Sequence, residues 1–234
     1  MNTNSNTYTV VYTTLVVVLV AAVLAFVSQK LGPMQAANEK AETISQILTA
    51  AQFGEKEHWQ EIGNAATIKF FEENIVGGGS DISSTAELKA FNYKVKDGSI
   101  DASALPVYRF TNGISVIPVY GAGLWGPVWG YIALEQDCRT IAGAYFDHES
   151  ETPGLGGKIK DDPSFRAQFK GKSIDYTDAA PFSIVKGGAP EGKRNAIDAI
   201  TGATMTSKGL DAAITTWLGA YEKILIAEEE TENE

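Results

Sequence analysis

Cys138 is the only cysteine among 234 residues. That excludes an intramolecular disulfide, and with it any zinc or iron–sulfur site held by several thiolates of this chain. Histidine is nearly as scarce: His58 and His148 are the only two, too few for a histidine-rich metal centre, and no Ser-His-Asp pattern builds around either. No metal ligand and no catalytic residue is therefore assigned. A redox role would need an organic cofactor. Glu149 and Glu151 stand two apart on one turn, where paired carboxylates read as solvated turn charges and not as a hydrolase pair. Positive charge is also in short supply, with 19 Lys and Arg against 29 Asp and Glu. No basic patch of the kind nucleic acid requires is present, so no nucleic-acid partner is expected. A net charge of -10 speaks for solubility more than for any ligand.

The first 29 residues contain no charge at all. Within them, residues 9–28 form an apolar run of the length that crosses a bilayer as a helix. A cleaved signal peptide is the competing reading. It calls for a basic leader, a shorter apolar core and a small-x-small cleavage site, and the run fits all three poorly. The segment 1–30 is read as a tail and uncleaved anchor. Lys30 and Lys40 follow the span and nothing basic precedes it, a bias that by itself favours the bulk domain inside.

Residues 31–57 read as a connecting amphipathic helix, because Ala37, Ala41, Ile44, Ile47, Leu48 and Ala51 recur at spacings of three and four. A further helix is expected near 67–75, ending at the loop Gly77-Gly78-Gly79-Ser80. Short β-branched and aromatic runs follow at 91–95, 107–110, 113–120, 129–135, 140–147, 173–176 and 182–185. Strands arriving as a run, without alternating helices, predict an α+β domain with a mainly antiparallel sheet. Leu210, Ile214, Trp217, Leu218, Tyr221 and Leu225 form the apolar stripe of a closing helix that packs on that sheet. Trp59 and Trp217 read as core, whereas Trp125 and Trp129 flank a turn. The main domain is placed at 58–227, with a solvated acidic tail at 228–234.

One segment is chemically suggestive: Thr201-Gly202-Ala203-Thr204-Met205-Thr206-Ser207, a tight turn entering the closing helix. Free amides at a helix start, with the positive end of its dipole, suit a phosphate, and the hydroxyls of Thr204, Thr206 and Ser207 add donors. An ordinary helix cap explains the same residues. Gly154-Leu155-Gly156-Gly157 is no more than a fragment of a nucleotide-binding glycine fingerprint. Two other glycine-rich turns, Gly123-Leu124-Trp125-Gly126 and Glu151-Thr152-Pro153-Gly154-Leu155-Gly156, carry Trp125 and Leu155 as possible walls for a flat aromatic ligand. Thr152 and nearby amides are possible donors to its heteroatoms.

These three motifs in this order, behind one amino-terminal span, closely resemble the C subunit of the sodium-translocating NADH:quinone oxidoreductase. The G subunit of the Rnf-type complex shares the last two motifs. The stretch 124–134 looks more like the quinone-reductase protein. The resemblance implies FMN bound covalently, its phosphate esterified to Thr206, with Gly202, Ala203, Thr204, Ser207, Glu151, Thr152, Gly154, Leu155 and Trp125 around the cofactor. It further implies a relay passing electrons between redox centres during sodium export, with no substrate site of its own. Its expected partners are the other membrane subunits of a six-subunit complex and a flavin transferase for maturation. That transferase acts outside the cytoplasm, so the resemblance places the domain on the outer face of the bacterial inner membrane, against the Lys30 and Lys40 bias. The family's motif usually begins with serine; Thr201 keeps the hydroxyl. An Rnf-type flavoprotein and a non-redox anchored binding ectodomain are the alternatives.

Overall fold

The computed structural model describes residues 6–77 and 82–232, so most of the loop expected at 77–80 lies outside the described residues. Two compact units are distinguished, Met1–Ala41 and Glu42–Glu234. Helix α1 (Asn6–Ala50) contributes to both. In the first unit it is the one described helix long and apolar enough to cross a membrane, and its most apolar stretch is entirely unburied within the chain. Val10, Leu15, Val17, Leu24 and Phe26 are all more than half exposed. Aliphatic side chains left in water on every side of a helix match a lipid environment, not a protein core. Residues 31–50 of the connecting segment continue this same helix, with Pro33 inside it, and the remainder turns into α2 (Lys56–Ile62).

In the second unit the sheet is a simple meander. Strands β1 (Ile75–Gly77), β2 (Tyr108–Phe110), β3 (Ser115–Ala122), β4 (Pro127–Leu134) and β5 (Ile141–His148) pair antiparallel in sequence order. An α+β domain with a mainly antiparallel sheet is what the runs of strand-forming residues predicted. Side chains on a strand alternate between faces, and here both faces are covered. One side buries Val116, Tyr131, Ala133 and Tyr145 against Ile44, Ile47 and Leu48 of α1, together with Trp59 of α2 (Lys56–Ile62) and Phe71 of α3 (Asn64–Asn74). The other buries Ile117, Val119, Val128, Ile132, Ala144 and Phe146 against the long closing helix α7 (Thr204–Glu232) and its neighbours. Burial on both faces is why β3, β4 and β5 read as almost unbroken apolar runs.

Two expected strands are not strands. Residues 91–95 lie in helix α4 (Thr85–Asp97), which opens on a capping box: Ser84 Oγ accepts from the Glu87 amide while Glu87 accepts from the Ser84 amide. The β-branched and aromatic residues of that stretch mislead, because propensity is a weaker signal than a cap that satisfies two helix-end donors at once. Replacing Ser84 with alanine should lower stability by roughly 0.5–2 kcal/mol, read as a shift in urea midpoint. Residues 173–176 make only an isolated bridge, Thr140 with Ser173, after which Asp175 turns the chain by accepting from the Thr177 amide at 3.0 Å. Beyond the short helices α5 (Lys158–Asp161) and α6 (Pro163–Ala167), strands β6 (Ser183–Val185) and β7 (Ala196–Asp198) pair in parallel as a separate two-stranded sheet. The carboxyl end of β7 delivers the chain into the turn that starts α7.

Helix α7 is fastened to β3. The Trp217 indole N–H donates to the Tyr120 carbonyl at 2.8 Å and to Asn92 Oδ1 at 3.1 Å, and the Tyr221 hydroxyl donates to the Pro106 carbonyl at 2.7 Å. These contacts hold the middle of α7, and its second turn meets the β3–β4 turn at Gly209, where an added Cβ would strike the Ala122 carbonyl.

Candidate flavin site

The turn before α7 is built by its own residues. Gly202 takes φ +83, a left-handed conformation that a side chain disfavours. Ser207, buried, accepts from the Ile200 amide at 3.1 Å, and its own amide donates to the Ala203 carbonyl at 2.9 Å. Ser207 therefore braces the turn from inside instead of facing a ligand. Thr201 and Gly202 are exposed, Thr204 is half-buried in the first helical turn, and Met205 points out with 57% of its surface exposed. Thr206 is only 1% exposed.

Its hydroxyl donates to Glu151 Oε2 at 2.5 Å. The other oxygen of the same carboxylate accepts from the Trp125 amide at 2.8 Å. One buried side chain thus joins all three motifs: the β3–β4 turn, the loop after β5 and the start of α7. Glu151 is 4% exposed, so reading it as a solvated turn charge was wrong, whereas its neighbour Glu149 is exposed. Sequence spacing alone could not separate the two, because a carboxylate's partner amides lie on another segment. Burial works to raise the Glu151 pKa, but the Thr206 hydroxyl and the amides of Trp125, Leu124 and Gly126 outweigh it and hold the carboxyl below its usual value. With a folded pKa below the unfolded one, the ionised group stabilises the fold above about pH 4.5 and loses that contribution as pH falls through the depressed folded value. The stability gap between wild type and Glu151→Gln should therefore be widest near neutrality and shrink in acid, measured as urea midpoints across pH.

Glycine is required at the centre. A methyl group on Gly156 would collide with both the Glu151 carboxylate and the Thr206 hydroxyl. Leu155 and Gly157 donate amides to the Thr152 carbonyl at 3.1 and 3.0 Å, closing this turn over the hydroxyl, while the Thr152 side chain stays in solvent with Pro153 and Gly154. The turn's exit is pinned by Lys160, whose Nζ meets buried Asp147 of β5 at 2.8 Å. His148, one of the two histidines, accepts the Glu151 amide on Nδ1 at 3.2 Å.

Around this point the surface is unusually apolar. Trp125 is 67% exposed, and Leu124, Leu155 and Met205 are each at least 45% exposed. Leu155 lies over Gly202, its Cδ2 at 3.1 Å from where a side chain there would begin. Four large apolar groups left in water on an acidic protein mark a binding surface, and they suit a planar aromatic ring held beside a buried hydroxyl. Leu124 and Met205 were absent from the residues expected at the site; their position on exposed turns was the available signal. A separate cleft of about 600 Å³, lined by Lys89, Tyr93, Lys96, Tyr120, Trp129 and Glu149 among others, shares the β3–β4 end but neither Thr206 nor Glu151.

Two further glycine spacings match nucleotide-binding patterns in sequence but not in structure. Gly121-x-Gly123-x-x-Gly126 has the dinucleotide-fingerprint spacing, and Gly187 to Lys193 has part of that of a phosphate-binding loop. The first sits in a β-hairpin and the second in a loop leading to β7. Neither opens a helix, so neither supplies the amide cluster those motifs depend on.

Residues 123–219 match the FMN-binding domain model. The C subunit of the Na(+)-translocating NADH-quinone reductase from Parabacteroides distasonis has a crystal structure that superposes with TM-score 0.63 at 31% identity, over 82% of this chain and 95% of that one. The chain belongs to the family of this reductase's C subunit, NqrC. NqrC from Shewanella oneidensis superposes with TM-score 0.58 at 26% identity, over 82% of this chain and 99% of its own. Among curated sequences of the same subunit, that of Vibrio vulnificus YJ016 is 42% identical over 118 residues, covering 48% of this chain and 46% of its own. That of Yersinia pestis is 42% identical over 106 residues, covering 44% and 39%. The chain thus spans about half the length of the curated relatives it matches or less. NqrC membership decides between the two resemblances drawn from the motifs, and the three motifs of the site all fall inside the FMN-binding match.

Proposed function

We propose that the chain carries FMN esterified through its phosphate to Thr206, and relays electrons between redox centres of a sodium-translocating NADH:quinone oxidoreductase during sodium export. The observation that carries this reading is the convergence of three motifs on one buried threonine hydroxyl, ringed by exposed Leu124, Trp125, Leu155 and Met205. Gly202, Ala203 and Thr204 would hold the phosphate at the helix start, where free amides and the dipole favour an anion. Trp125 and Leu155 would flank the ring, with Thr152 and Gly154 at its edge and Ser207 bracing the turn. FMN supplies the electron carriage. The protein's part is to tether it, keep it oriented and set its surroundings, and no separate substrate site is proposed.

The remaining assignments follow from this reading. Residues 1–30 anchor the chain, 31–57 connect, 58–227 bind FMN and 228–234 form an acidic tail. The partners are the other membrane subunits of the complex and a flavin transferase that installs the cofactor. The domain faces the outer side of the bacterial inner membrane, as maturation by an external transferase requires. Co-expression with the transferase, denaturation, digestion and mass mapping test the acceptor: the flavin should sit on the peptide containing Thr206, and a label elsewhere overturns the assignment. Protease added to spheroplasts should remove the domain, and full protection would place it inside.

A further inference from the structure

We propose that Glu151 is the general base that removes the Thr206 hydroxyl proton as that oxygen is esterified, an inference that rests on the reading of Thr206 as the flavin acceptor. A neutral alcohol is a poor nucleophile, and activation requires a base within hydrogen-bond reach of its proton. Glu151 Oε2 stands at that distance from Thr206 Oγ1, and the proton already points to it. Amides of the β3–β4 turn favour the ionised form of the carboxylate, so it is ready to accept. His148, the other titratable side chain at this point, faces the Glu151 amide instead of the hydroxyl.

The step balances without any redox change. Thr206 Oγ1 forms a bond to the flavin phosphorus, the bond from that phosphorus to its bridging oxygen breaks, and the leaving phosphate takes the electron pair. The hydroxyl proton passes to Glu151 Oε2. A free phosphate monoester offers no adequate leaving group, so the donor must be a phosphoanhydride of FMN, the class to which flavin adenine dinucleotide belongs.

The buried state of the hydroxyl fits this role. Gly156 covers Thr206, and the turn around it is otherwise exposed from Thr152 to Leu155. Glu151 is held from the opposite side, by the Trp125 amide and through its own amide by His148. Glycine at 156 is what allows hydroxyl, carboxylate and cover to meet.

The test uses flavin-free full-length protein in detergent with the transferase and flavin adenine dinucleotide, reading covalent flavin by in-gel fluorescence and mapping it by mass. Glu151→Gln keeps the shape and an acceptor for the Trp125 amide but is not basic. It should lower the kcat of labelling about 100-fold or more, within the range expected for loss of a general base, while the KM for the acceptor protein changes by no more than about twofold. Glu151→Asp, which keeps a carboxylate, should recover about a tenth of the wild-type kcat or more on the same scale. Wild-type kcat in the Gln variant, a loss carried only by a raised KM, or equal defects in the Gln and Asp variants would each overturn the role of Glu151. Mapping of wild-type flavin to a residue other than Thr206 is a different failure: it overturns the acceptor assignment, and this inference with it.

Discussion

Thr206→Ala should give a folded, membrane-associated protein with no flavin that survives denaturation, whatever the level of transferase. The expectation is a complete loss, because a phosphoester needs an oxygen on that side chain and alanine has none. Ser207 cannot substitute. Its hydroxyl is buried in the turn and already engaged, accepting from the Ile200 amide. Folding should survive: the Glu151 carboxylate loses one donor but keeps the Trp125 amide, and a buried acceptor short of one partner costs about 1–3 kcal/mol. Thr206→Ser retains the oxygen and should still be labelled. In-gel flavin fluorescence after denaturation reads all three proteins side by side. Fluorescence persisting in the alanine variant would show that the tether is elsewhere.

Trp217→Ala should destabilise the domain more than Ser84→Ala or Thr206→Ala. The ring is fully buried between β3, α4 and α7, with Tyr221 beside it at 6.2 Å between centroids. Truncating a buried tryptophan costs about 3–5 kcal/mol. Here the Tyr120 carbonyl and Asn92 Oδ1 also lose the indole donor, which adds to the cost where water cannot reach them. Trp217→Phe keeps most of the packing and loses only the donor, so it should fall between wild type and alanine in urea unfolding followed by circular dichroism. Because the same indole fixes α7 to β3, the alanine variant should also label poorly with flavin. Equal stability of the Phe and Ala variants would mean that the hydrogen bonds, not the packing, hold α7 in place.

Much of this architecture was legible in the amino-acid sequence because its causes are local. An uncharged run of bilayer length announces an anchor through composition alone. The β2 to β5 meander could be read from apolar stretches separated by turn residues, and α7 from a stripe at helical spacing. The misreadings have equally local origins. Residues 91–95 look like a strand by residue type, yet Ser84 and Glu87, several positions upstream, commit that stretch to a helix. Residues 173–176 have strand-like side chains but face only Thr140, and one bridge does not make a ladder.

The site divides in the same way. Sequence alone determined that three glycine-rich motifs are present, that the last opens a helix with hydroxyls suited to a phosphate, and that one cysteine cannot form an intramolecular disulfide or a multi-thiolate metal site. It marked Thr206 but left an ordinary helix cap as a sufficient explanation. Tertiary structure decided what Thr206 touches. Glu151 lies 55 positions away along the chain, and whether a carboxylate is a solvated charge or the buried link between three loops depends on which amides the fold brings to it. Hydrogen bonds and burial are properties of neighbours in space. The spacing of residues along a chain determines them within a helix or a hairpin, and between distant turns only the packing of α7 on the sheet does.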